Sequence, residues 1–154
     1  MLPKTDWAQL IPHAGSMCLL DAVLAWDDAT IHAISAGHAR ADHPLRGAHG
    51  LHAVHLAEYG AQAMAVHGGL LGRARGITQA RPGRLVSLRE LQLFEEYVDR
   101  LDGRLDVHAQ CLHADDHGAQ YAFRVEHAGR LLASGRAAVI HPEPASSAPQ
   151  GLLP

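Results

Sequence analysis

The chain is short of cysteine, of long apolar runs and of positive charge, and each shortage removes a class of protein. Its two cysteines, Cys18 and Cys111, stand far apart and match neither a metal nor a redox spacing. They read as buried, reduced thiols of a cytosolic protein. No apolar run is long enough to cross a bilayer, so no membrane span is expected. The opening residues MLPKTDWAQL lack a charged segment followed by an apolar one, and no signal peptide is expected. A net charge of −3 argues against nucleic-acid binding by the chain as a whole. There is no internal repeat and no HExxH zinc motif.

What is present in excess is histidine: 13 of 154 residues, scattered from His13 to His141. Most of these belong on the surface or at strand ends, where their titration governs solubility more than function. The stretch DHPLRGAHGLHAVHLAEYGAQAMAVHG, residues 42–68, holds five of them and one acid after Asp42, namely Glu58. Glu58 lies in the best-defined helix pattern of the chain, about Leu51 to His67, which the glycines at 68 and 69 are expected to end. Val54, Ala57, Glu58, Ala61, Met64 and Ala65 share one helix face, and Ala53, Gly60 and Ala63 keep the other side slim. A helix small or apolar on most sides is buried by surrounding structure.

The remaining elements read as follows. Thr5 starts a short helix that Pro12 and Gly15 end. Met17 to Trp26 and Thr30 to Ala36 are strands joined at the DDA turn, and a loop runs from Gly37 to about Gly50. After a connection over 72–84, alternation from Leu85 to Leu93 opens four strands, the later ones separated by DDHG and HAGR. The order predicts an α+β fold, an antiparallel sheet wrapped around one long central helix. A single domain over residues 1–141 and a disordered Pro/Ser/Ala-rich tail over 142–154 are expected. The sheet edges that remain call for at least a homodimer.

A carboxylate buried among apolar residues tends to hold its proton, as a general acid near neutrality must. A neutral imidazole from the His-rich approach suits the partner role of base. His49, His52, His55 and Glu58 recur at spacing three, but each step lags by about 60°, so only adjacent pairs could share an ion and no metal is expected. Arg73, Arg75, Arg81, Arg84 and Arg89 lie in a stretch without acids between Glu58 and Glu90. This positive patch suits an acidic or phosphate-bearing partner.

Several of these motifs resemble the FabZ/FabA-type 3-hydroxyacyl-carrier-protein dehydratases of the hotdog fold. Pro12, His13, Leu20, Asp21 and Val23 match the family's opening, and His43, Glu58 and Gln62 match its catalytic segment. EYGAQA is closer still to the ApeP-like branch, associated with aryl polyene pathways. The family's Pro-Gly at the helix start is His52-Ala53 here, and the His43–Glu58 interval is one residue longer than in typical FabZ sequences.

The resemblance implies a cytoplasmic (3R)-hydroxyacyl-carrier-protein dehydratase without organic cofactor or metal, its substrate carried on phosphopantetheine. It implies that His43 is the base and Glu58 the acid, meeting across a subunit interface, with His52 or His55 as substitutes for the base. Ala53 and Val54, at the helix start, would bind the thioester carbonyl through backbone N–H groups. Gln62, Arg73 and Arg75 would contact substrate, and Met64, Leu91 and Leu93 are candidate tunnel residues. The expected partners are an acyl carrier protein and a second subunit, identical or a different hotdog chain. Two other readings belong beside this one: an acyl thioesterase in which Glu58 activates water, and a non-catalytic subunit stabilising an active partner.

Overall fold

The computed structural model describes residues 1–77 and 83–141. Seven strands form one antiparallel sheet: β1 (Leu2–Pro3), β2 (Ala22–Trp26), β3 (Thr30–Ser35), β4 (Arg84–Leu93), β5 (Leu105–Ala114), β6 (Gly118–His127) and β7 (Arg130–Ile140). Their order is β1-β2-β3-β5-β6-β7-β4. One long helix, α1 (Leu56–Ala74), lies against β3, β5, β6 and β7. The α+β layout expected from the sequence is the one observed. The expected tail (142–154) and Arg81 lie outside the described residues.

Period-two alternation builds the sheet. Leu105, Val107 and Ala109 of β5 and Tyr121, Phe123 and Val125 of β6 point into the core, while Asp106, His108 and Arg124 point out. The β6–β7 hairpin turns on Ala128 and Gly129, both at positive φ (49° and 80°), as a two-residue type I′ loop requires. Asp27 shapes the β2–β3 turn by accepting from the N–H groups of Ala29 and Thr30.

Four expectations about boundaries are corrected. The N-terminal helix is two 3-10 turns, Lys4–Asp6 and Ala8–Leu10, without a side-chain cap from Thr5. Trp7 sits between them, fully buried, with its indole N–H donating to the Leu2 carbonyl. The first long strand starts at Ala22 rather than Met17, because the backbone at 17–19 bonds to a side chain of α1 instead of the sheet.

The central helix begins with a 3-10 turn, Ala53–His55, and runs on past the two glycines to Ala74. Gly69 serves packing, since a Cβ there would stand 2.7 Å from Leu10 Cβ. The helix ends where Gly76 takes φ +81° and the N–H groups of Gly76 and Ile77 bond back to Arg73 and Gly72. That is a Schellman cap.

The slim side of α1 faces the sheet. Gly60 lies under Phe123, whose ring would be 2.5 Å from an added Cβ. Leu56, Tyr59, Ala63, Val66 and Leu70 fill the core around it. Val54, Ala57, Glu58, Ala61 and Ala65 form a half-open stripe on the opposite side, with only Met64 of that expected face buried.

Candidate active site

Glu58 stands in the first turn of α1, on this half-open stripe, with its side chain 35% exposed. Its Oε1 has two neighbours. His13 Nε2 lies 3.2 Å away, and Gln62, one helical turn on, donates its amide N–H over 3.4 Å. Oε2 has no hydrogen-bond partner among the described residues.

Gln62 explains why His13 is there. It is fully buried, its carbonyl accepts the Leu19 N–H at 2.8 Å, and its amide also donates to the Met17 carbonyl at 2.7 Å. Gln62 thereby pins the backbone that follows His13 onto α1. It is a staple within the chain rather than a group facing a ligand. Met64 is core, and Leu93 is exposed on an edge strand.

His43 belongs to the other side of α1. It is 8% exposed, its Nδ1 accepts the Leu45 N–H at 3.1 Å, and its Nε2 lies 2.9 Å from the Tyr59 hydroxyl. Because Nδ1 accepts, Nε2 carries the proton and donates to Tyr59. The single lone pair of the neutral ring is therefore occupied by a backbone N–H. Burial lowers the His43 pKa, helped by the positive charge that His55 and His38 would carry, so the ring stays neutral. Tyr59 is fully buried, and that burial pushes its phenol pKa up.

His43 and Glu58 do not touch, but one buried network joins their surroundings. Tyr59 contacts Ser35, whose hydroxyl donates to the Leu19 carbonyl at 2.6 Å. The N–H of the same Leu19 donates to Gln62, which reaches Glu58.

The backbone donors expected at the helix start are also engaged. The Ala53 N–H donates to the Glu96 carbonyl at 2.8 Å, and the Val54 N–H to the His52 ring at 3.0 Å. His52 itself packs edge-on against Tyr97, with ring centroids 5.4 Å apart. Asp99 holds the preceding loop, accepting the Leu51 N–H at 2.9 Å. That hydrogen bond, assisted by Arg46, keeps its carboxyl below the usual range. At the far end of α1, Arg73 donates to the Asp6 carbonyl, and Arg75 is exposed at the cap. Two cavities of about 280 Å³ each lie on the outer face of the sheet, and neither is lined by Glu58 or His13.

Sequence reasoning placed Glu58 and missed His13 as its neighbour. The available signal was Gln62 one turn after the carboxylate, a buried amide in need of partners.

An antiparallel sheet wrapped around one long helix is the hotdog fold, which hosts dehydratases and thioesterases alike. The chain belongs to the ApeP-like family of ApeP dehydratases, whose sequence model matches residues 5–150. Among solved structures it is similar to the dehydratase heterocomplex ApeI:P of Xenorhabdus doucetiae, at 22% identity over 92% of each chain with a TM-score of 0.80. It is also similar to protein PA5202 of Pseudomonas aeruginosa, at 18% identity over 86% of this chain and 96% of that one, TM-score 0.61. A variant of the thioesterase SAV0944 of Staphylococcus aureus shares 16% identity over 79% of this chain and 93% of that one, TM-score 0.57. No curated protein matches the sequence.

Proposed function

We propose that this chain acts in the elimination of water from a (3R)-hydroxyacyl thioester carried on an acyl carrier protein, giving the trans-2-enoyl thioester. The observation that carries the reading is the half-open Glu58, with one carboxyl oxygen held by its own chain and the other without a partner among the described residues. In the reaction a base takes the C2 proton, the C2–C3 double bond forms, and the C3–O bond breaks. The hydroxyl leaves as water with a proton from Glu58. His43 fills the role of base once its ring is released from the Leu45 N–H, and Ala53 that of carbonyl donor once it leaves Glu96.

Arg73 and Arg75 stand one helix length from Glu58, roughly 22 Å along the axis at 1.5 Å per residue. That separation suits a carrier docked at the arginines with its arm laid along α1.

A second reading is favoured by the same contacts of His43 and Ala53. In it the chain supplies Glu58, and a different hotdog subunit supplies base and carbonyl donor. A symmetric dimer would bury both copies of His43 alike, so a different chain is the simpler source. The related ApeI:P structure is itself a heterocomplex of dehydratase subunits. Incubation with 3-hydroxyacyl-carrier protein, alone and with a second hotdog chain, separates the readings by where loss of water occurs. Release of free acid and free thiol would instead select a thioesterase.

A further inference from the structure

We infer that His13 is the positioning residue of Glu58, orienting the carboxyl so that Oε2 is the oxygen that exchanges protons with substrate. The inference rests on the reading of Glu58 as the proton-transferring group, and it goes beyond that reading by naming the residue and atoms that set its geometry.

His13 Nε2 stands 3.2 Å from Glu58 Oε1, while His13 Nδ1 is buried without a hydrogen-bond partner among the described residues. A buried orphan N–H is a rarer and costlier arrangement than an orphan lone pair. The neutral ring therefore carries its proton on Nε2, facing Glu58. Oε1 then accepts the Gln62 N–H and faces the His13 Nε2 edge at 3.2 Å, close enough for the imidazole N–H to turn onto it when substrate binds. An oxygen flanked by two N–H groups is the one that acts as acceptor, which leaves Oε2 as the oxygen open to exchange a proton with substrate. In the ionised state the same two donors fix the same oxygen, so the carboxyl does not flip between states.

Both side chains are partly open, His13 at 28% and Glu58 at 35%, so the pair lies at the surface that a substrate would reach. The histidine is not free to drift. Gln62 bonds to Met17 and Leu19, and Ile11, Cys18, Leu19 and Leu20 are buried on either side of it. Pairing with Glu58 is thus a consequence of how the N-terminal segment is laid across α1.

The test uses the full chain, with its partner chain if the wild type requires one. His13→Ala and His13→Phe each remove the donor, and phenylalanine keeps the ring volume. His13→Gln places an amide N–H near the original Nε2. The expected result is a fall in kcat of roughly 10- to 100-fold for the alanine and phenylalanine variants, with KM little changed. Glutamine should restore the rate to within a few-fold of wild type.

In parallel, ¹⁵N spectra at alkaline pH should show the His13 ring as the Nε2–H tautomer, with this preference lost in Glu58→Ala. Retention of the wild-type rate by His13→Phe, or a His13 ring indifferent to Glu58→Ala, would overturn the inference. An inactive wild type would instead count against the reading of Glu58, while the spectra still decide the pairing.

Discussion

Gln62 makes three bonds from one buried side chain, and its replacement shows what a single residue holds together. Gln62→Ala leaves the Leu19 N–H and the Met17 carbonyl without their partner, at about 1–3 kcal/mol for each buried group. Urea unfolding should show a loss of roughly 2–4 kcal/mol, with an unchanged m-value. His67 carries a different cost. It is fully buried between the Tyr121 hydroxyl and the Asp27 carbonyl, and burial lowers its pKa below the ordinary 6.5. The unfolded chain therefore takes up a proton as pH falls through about 6.5 while the folded chain does not, and stability falls until the lower folded value is passed. His43 and His108 are lowered in the same sense, so stability measured by denaturant should decline below pH 6.5 and be flat from there until alkaline pH, where Cys18, Tyr59 and Tyr121, all raised by burial, ionise first in the unfolded chain. His67→Gln should make that acid decline shallower.

The site was half legible at this scale. One carboxylate in a helix of small residues is visible in any reading of residues 51–67. The pairing with His13 is not, because it depends on a staple between residues 43 apart in sequence. Nor could the order His43-Pro44-Leu45 reveal that the chain turns the Leu45 N–H back onto the ring.

At the scale of elements, the strands were legible because alternation and turn residues agree, and the helix was legible in kind but not in length. Paired glycines read as a stop signal. In the fold, Gly60 and Gly69 are points where Phe123 and Leu10 press against the helix, while Gly76 alone makes the cap. Gly60→Ala should cost about 1–3 kcal/mol, because the sheet must retreat from α1. Ala128 offers the converse. It holds φ 49° in the β6–β7 turn, where asparagine is better tolerated. Ala128→Asn should stabilise the chain by roughly 0.5–1 kcal/mol, read as a higher Tm.

On the whole-molecule scale, β4 sets the question of partners. It closes one side of the sheet order and is exposed along its length, with Leu85, Val86 and Leu88 open to solvent and Val86 at 52%. A ten-residue edge strand with Leu85, Val86, Leu88 and Leu93 exposed among its polar residues is the kind of surface that a pairing strand covers. A second subunit paired along β4 would cover it. Val86→Lys with Leu88→Lys should lower the sedimentation coefficient of the assembly while leaving the circular dichroism unchanged. An unaltered assembly would move the interface elsewhere.

In the proposed reaction Glu58 transfers a proton in the dehydration of a carrier-bound acyl chain. The most direct measurement follows the mass of a 3-hydroxyacyl-carrier protein incubated with the chain, alone and with a second hotdog subunit, beside the Glu58→Gln variant. Loss of water is expected with wild type, at a rate lower by about 10²- to 10⁴-fold with the variant. Equal loss of water with Glu58→Gln, or none at any acyl length in either setting, would contradict it.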